Sequence, residues 1–247
     1  MGSRTWSLLF LSAVAVLYLM ATPATAQDIS LTFNGGETSL ATRSIQLIVL
    51  ITLLSLVPGL AIMITAFPFI VTVLAILRQA IGLQQSPPNM LIVTLALFLT
   101  YFVMEPVFLE AWRLGGLPFA EGTLDLEAAF TAALEPFRTF MATRVDGQTF
   151  DALAALRSDT IVTADENAPL SVLIPSFLLS EISRAFQIGF VLFLPFLIID
   201  LVVAAILMSM GMMMVPPAIV SLPFKLAFFV VADGWTLVSQ ALVRGYF

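Results

Sequence analysis

Charge is spaced widely along this chain, and the gaps are apolar. Between Arg43 and Arg78 lie 34 uncharged residues, between Arg78 and Glu105 lie 26, and between Asp200 and Lys225 lie 24. Uncharged apolar runs of this length predict membrane helices. Four hydrophobic segments fit, at about 44–77, 90–112, 186–208 and 212–233. The first is too long for a simple span. At roughly 1.5 Å per residue its helix would reach about 51 Å, against a hydrocarbon core of about 30 Å. Pro58-Gly59 and Pro68 interrupt it, Pro195 interrupts the third, and Pro216-Pro217 and Pro223 the fourth. Proline removes a backbone donor and crowds the preceding turn, so kinks or breaks are expected there. Irregular backbone at membrane depth is tolerated where protein buries it or water reaches it. The pattern therefore predicts an all-α membrane protein of proline-broken helical hairpins, packed into a larger helical assembly.

Between the second and third segments the pattern changes. Leu126, Phe130, Leu134, Phe137 and Met141 recur at helical spacing, and Phe150, Leu153 and Leu156 predict a second, short helix. Asp125 and Glu127 suit a first turn through the helix dipole, and Pro136 is expected to end or kink the helix. At the other end of the chain, Arg4, the apolar run Leu8 to Ala21 and Ala24-Thr25-Ala26 have the three parts of a secretory signal peptide, cleaved after Ala26. Cleavage places residues 27–43 outside the cytoplasmic membrane. Four spans then return the C-terminus to that side, with 78–89 in the cytoplasm and the insert outside. The expected organisation is a signal peptide at 1–26, an extracytoplasmic segment at 27–43 and a first hydrophobic pair at 44–112. A small helical insert follows at 113–168 and a second hydrophobic pair at 169–247.

Composition sharpens this picture. Hydrophobic residues make up 60% and charged residues 11%, too few charges to clothe a water-soluble globule. The net charge of −6 falls in and just before the insert: residues 110–166 hold ten acids and four bases, and the remainder balances at six and six. No basic patch exists, which argues against nucleic acid as a partner. His and Cys are absent, which removes thiol and imidazole chemistry and the metal sites built on those ligands, so neither a cofactor nor a metal is expected. No phosphate-binding G-x-x-x-x-G-K-[ST] loop occurs.

A few polar side chains stand among the apolar ones. Glu181 and Arg184 share a helix face, Asp200 interrupts the third segment, and Lys225 is the only lysine. Charge at bilayer depth costs on the order of 2.5–3.5 kcal/mol, so such groups pair, line a cavity or snorkel to water. Three readings follow: ion pairs locking helices or subunits, a proton or ion path through Asp200 and Glu181, or charges at helix ends. The run Met208-Ser209-Met210-Gly211-Met212-Met213-Met214 precedes Val215-Pro216-Pro217, which sets it near a helix end. Methionine is apolar and flexible, so it can fill an irregular gap between helices or yield as a movable seal. Copper or haem binding is disfavoured because thioether sites need a His or Cys partner.

These segments carry a resemblance. Leu77-Arg78-Gln79-Ala80-Ile81-Gly82-Leu83-Gln84-Gln85-Ser86-Pro87-Pro88-Asn89, Ile174-Pro175-Ser176-Phe177 and Phe193-Leu194-Pro195-Phe196-Leu197-Ile198-Ile199-Asp200-Leu201-Val202-Val203 resemble the FliP family of the type III export apparatus. So do the Met cluster, Ser221-Leu222-Pro223-Phe224-Lys225-Leu226 and Asp233-Gly234-Trp235. The likeness covers about residues 44–240. It implies a non-enzymatic subunit of the flagellar export gate, in the inner membrane at the flagellar basal body. Several copies would assemble with FliQ and FliR around a path for unfolded export substrates, with FlhB and FlhA nearby and lipid around. It implies that Met208, Met210, Met212, Met213 and Met214 form a gasket around the closed pore. It maps charged contacts between subunits onto Glu181 and Lys225, and an intramembrane acid onto Asp200. The chain departs from the family in three places. Arg184 is displaced by one residue from the family's basic position, Phe69 stands where arginine is common, and Glu105 where a small residue is common. Two other classes compete with this one: a secondary transporter or ion channel using Asp200, and an intramembrane aspartyl protease using Asp200 and Asp233. Neither has its expected signature, since no paired half-repeats and no Gly-rich aspartyl motifs are visible.

Overall fold

The structure, a computed structural model, describes residues 40–83, 87–157, 164, 168–212 and 214–247, without the side chains of 40–43 and Leu53. The expected signal peptide lies outside the described residues. Those described are helical throughout, with no strand among them. In chain order, α1 is Leu40–Met63, α2 Phe67–Ile81 and α3 Asn89–Ala111. A π-helical turn, Trp112–Gly116, leads from α3 into α4, Leu117–Ala120. Then come α5 Leu126–Arg144, α6 Gly147–Ala155, α7 Leu170–Ser209, α8 Pro217–Val231 and α9 Gly234–Arg244. Among the described residues, three stretches are long and apolar enough to cross a membrane: Ser44–Met63, Asn89–Ala120 and Leu170–Ser209. The pair α8 and α9, bent by 62° at a short break, makes a fourth. The chain is an all-α membrane protein.

Prolines inside the helices do not break them. Pro58 lies inside α1, Pro136 inside α5, Pro175 and Pro195 inside the 40-residue α7, and Pro223 inside α8. Each helix continues through its proline. One missing N–H is a smaller penalty in an apolar setting than a break, which would leave several backbone groups without partners. The long first segment does break, but at Ile64–Ala66. There the Thr65 hydroxyl donates to the Ile62 carbonyl at 2.6 Å, and the Phe67 N–H donates back to Thr65 Oγ1 at 3.3 Å. Pro68 then sits in the first turn of α2, where no N–H is needed. The third segment begins at Leu170 rather than near 186, and the second continues through its π-turn to residue 120.

Helix α2, 15 residues long, is too short to span a bilayer and is instead the centre of the core. Its Phe69, Ile70, Val73, Leu74, Leu77 and Ile81 are buried against Ile92, Ala96, Val103 and Met104 of α3, Ala185 and Phe196 of α7, and Phe229 of α8. Gly189 of α7 permits this: a Cβ there would lie 2.5 Å from the Ile76 side chain. The C-terminus of α2 is closed by Gly82 at φ 89°, with its N–H on the Gln79 carbonyl at 3.0 Å. The Arg78 guanidinium bonds Asn89 Oδ1 and the Pro87 carbonyl across the turn.

The insert folds as two helices with aspartate caps. Asp125 accepts from the Ala128 N–H at 2.8 Å, and Asp146 accepts from the Thr149 N–H and hydroxyl, both at 2.9 Å. Of the apolar stripe on α5, Met141 is buried and Leu134 and Phe137 are half-buried, while Leu126 and Phe130 stay exposed. Met141 and Phe150 pack with Val172, Leu173 and Phe177, joining α5 and α6 to the first half of α7.

Candidate functional site

The methionine cluster forms the hinge between α7 and α8. Helix α7 ends with the Met210 N–H on the Ile206 carbonyl at 3.1 Å and the Met212 N–H on the Leu207 carbonyl at 3.0 Å. Gly211 takes φ 75°, the left-handed value that makes this turn possible and that a side chain resists. Pro216 and Pro217 then start α8 at the positions that need no donor. Every described methionine of the cluster is solvent-exposed, from 39% for Met212 to 97% for Met214. Met213 lies outside the described residues. Beside the hinge, Val203 and Leu207 of α7, Met210 of the hinge itself, and Val220 and Phe224 of α8 line a groove with no polar wall. The hinge thus presents thioethers outward instead of filling a gap between the helices of its own chain.

Below the hinge, α7 and α8 are clamped by an ion pair. Lys225 Nζ donates to Asp200 Oδ2 at 2.6 Å and to the Ala80 carbonyl at 3.2 Å. The Ser221 hydroxyl, itself buried, donates to Asp200 Oδ1 at 2.5 Å. One lysine therefore joins α7, α8 and the C-terminal carbonyls of α2, where a cation also suits the helix dipole. Each oxygen of Asp200 thus has a partner within the chain, the lysine on one and the serine hydroxyl on the other. Asp233 sits at the α8–α9 bend in the left-handed region, at φ 48°. The bend is tight, since a Cβ on Gly234 would lie 2.2 Å from the Phe229 ring.

Glu181 is fully buried on α7 and has its own partners. Arg144 Nε, from the end of α5, donates to Glu181 Oε1 at 2.9 Å, and Arg184 reaches the same oxygen at 3.6 Å. The Tyr246 hydroxyl donates to Glu181 Oε2 at 2.5 Å. The Arg144 guanidinium also lies 3.8 Å from the Tyr246 ring centroid and donates to the Gly245 carbonyl at 3.0 Å. Burial, and then the Glu181 charge, hold the Tyr246 hydroxyl far above the ordinary phenol range, with Arg144 and Arg184 pulling the other way. Phe69 packs edge-on against Tyr246 at 5.6 Å.

The structure thus sorts the charged candidates into two separate nodes, Lys225 with Asp200 and Glu181 with Arg184. Sequence reading passed over Arg144, Tyr246 and Ser221. Ser221 had a signal, since it stands four residues before Lys225 on the same helix face. Arg144 was one base in an acidic insert, and Tyr246 one aromatic at a chain end, so neither stood out. Among the described residues no group of acidic side chains is arranged to hold a metal ion.

Comparison with known sequences bears on what this architecture serves. The FliP family pattern matches residues 50–242. The flagellar biosynthetic protein FliP of Caulobacter vibrioides is 47% identical over 97% of this chain and 89% of its own length. That of Agrobacterium fabrum is 43% identical over 96% of this chain and 98% of its own. FliP of Bacillus subtilis is 39% identical over 87% of this chain and 97% of its own. A match of this extent, on a chain whose membrane-length helices close on a methionine hinge, shows that the protein belongs to the FliP family and is an inner-membrane component of the flagellar export apparatus.

Proposed function

We propose that the chain is a pore-forming subunit of the flagellar export gate, in which several copies of it assemble with FliQ and FliR near FlhB and FlhA. Unfolded flagellar substrates pass along the axis of this assembly, and the Met208–Met214 hinge is the seal around that path. The observation that carries the reading is the outward display of the hinge methionines from a turn anchored on both sides. Met208, Met210 and Met214 are each more than half exposed, although they are apolar. Flexible thioethers displayed this way can meet the same side chains of neighbouring copies, exclude ions, and still part for a polypeptide. The apolar outer faces of α1, α3 and α7 supply further surface for lipid and for neighbouring helices, with Leu54, Phe98 and Phe190 among the exposed side chains.

The Lys225–Asp200 clamp supports the same division of labour. It ties together the two helices that carry the hinge. Replacing Met210, Met212 and Met214 by Ala in the assembled gate is expected to raise ion leak while the complex still forms. Unchanged conductance in an intact complex would show that the hinge is not the seal.

A further inference from the structure

We infer that the last residues of the chain form a latch, in which Gly245 and Tyr246 fasten the insert helix α5 to the long helix α7 by closing over the Arg144–Glu181 pair. The node is built from four separate places in the sequence. Phe69 comes from α2, Phe140 and Arg144 from α5, Glu181 from α7, and Gly245 and Tyr246 from the tail. Tyr246 touches all of them. Its ring packs edge-on with Phe69, stacks on Phe140 at 6.1 Å and lies under the Arg144 guanidinium, while its hydroxyl ends on Glu181.

Each contact has a physical reason to depend on the tail. Glu181 is wholly buried, and a buried carboxylate needs its oxygens bonded as well as its charge balanced. Arg144 bonds Oε1 and Tyr246 bonds Oε2. Arg144 in turn is held by the Gly245 carbonyl and the Tyr246 ring face, so the tail both completes the acid and orients the base. The same seam continues next door, where the Asp146 N–H at the α5–α6 turn donates to Ser180 Oγ at 2.9 Å. Phe247 beyond Tyr246 is exposed and takes no part in the node. Phe69 adds an edge contact to the Tyr246 ring.

The test exploits a chain without cysteine. Ser176 and Ala96 are both fully buried, on α7 and α3 respectively. Ser176 stands one turn from Ser180 on the stripe that faces the insert, whereas Ala96 belongs to the main core. Full-length chains carrying Ser176→Cys or Ala96→Cys are labelled with a maleimide in native membranes. Tyr246→Phe is expected to raise labelling at 176 by roughly tenfold or more, the factor that follows from losing one hydrogen bond to a charged group. Removing residues 246 and 247 is expected to raise it further, and removing Phe247 alone to leave it unchanged. Labelling at 96 should stay at its unmodified rate in all of them. Equal rates at 176 with and without the tail would overturn the latch. So would a parallel rise at 96, which would mean that the tail supports the whole fold.

Discussion

Replacing Lys225 by Met keeps most of the stem volume and removes the charge that joins three helices. The Lys225 side chain is 7% exposed and that of Asp200 31%. After the change, Asp200 keeps only the Ser221 hydroxyl, and the Ala80 carbonyl loses the lysine donor. Removing one partner of a buried ion pair costs about 3–5 kcal/mol, because the other charge stays behind unpaired. Water still reaches part of Asp200, so a loss somewhat below that range, about 2–3 kcal/mol, is expected here. For a chain of this size that corresponds to a fall of about 5–10 °C in the thermal midpoint, at roughly 2–4 °C per kcal/mol. Asp200→Leu alone should fall comparably, since it strands Lys225. The double variant Lys225→Met with Asp200→Leu strands neither charge. Its loss should be about that of one single variant instead of the sum of the two, a coupling of about 2–3 kcal/mol in the cycle. The assay is thermal unfolding of the full chain in detergent, with swimming motility of the complemented strain beside it. An exchange of the two residues should not restore stability, because aspartate at 225 would bring no donor to the Ala80 carbonyl. The reasoning fails if the double variant loses the sum of the two single losses, for then the contact at 2.6 Å contributes no coupling.

Two further outcomes follow from close contacts. Gly115→Ala should destabilise the seam between the π-turn and α5, because a Cβ would meet the Ala129 carbonyl oxygen at 2.3 Å. Backbone cannot yield as a side chain can, so a loss of about 1–3 kcal/mol is expected, read as earlier proteolysis of the insert. Asp146 caps α6, and the Thr149 N–H and then its hydroxyl hold the carboxyl below its ordinary 3.8. A lowered folded value means that the cap's contribution is complete above that ordinary value and drains away as pH falls through the folded one. The difference in thermal midpoint between the native chain and Asp146→Asn, which still caps but does not titrate, should therefore be flat from pH 7 to 5. It should shrink below pH 4, and a difference constant down to pH 2 would refute the assignment.

What the sequence could reveal followed from how local each cause was. Uncharged runs marked the membrane-length helices because hydropathy is a property of a continuous segment. The hinge was legible because Gly211 and Pro216-Pro217 act on their own backbone, and the aspartate before Leu126 caps its own helix. Which prolines end a helix and which lie inside one was not legible, for the complementary reason. A local penalty at Pro195 or Pro136 is overridden when packing and an apolar surround hold the helix on both sides. The charged nodes were half legible. Asp200 and Lys225 were singled out, because isolated charge in an apolar run requires a partner. Their pairing was not, since residues 25 apart meet only once α7 and α8 fold back at the methionine hinge. Glu181 shows the limit most clearly. Its near neighbour Arg184 was the obvious partner by helix spacing, yet the closer bond comes from Arg144, 37 residues earlier. A bond from one residue before the chain's end completes the site. A buried charge in this protein is thus matched by groups that tertiary packing delivers, and helix periodicity can name the charge without naming what answers it.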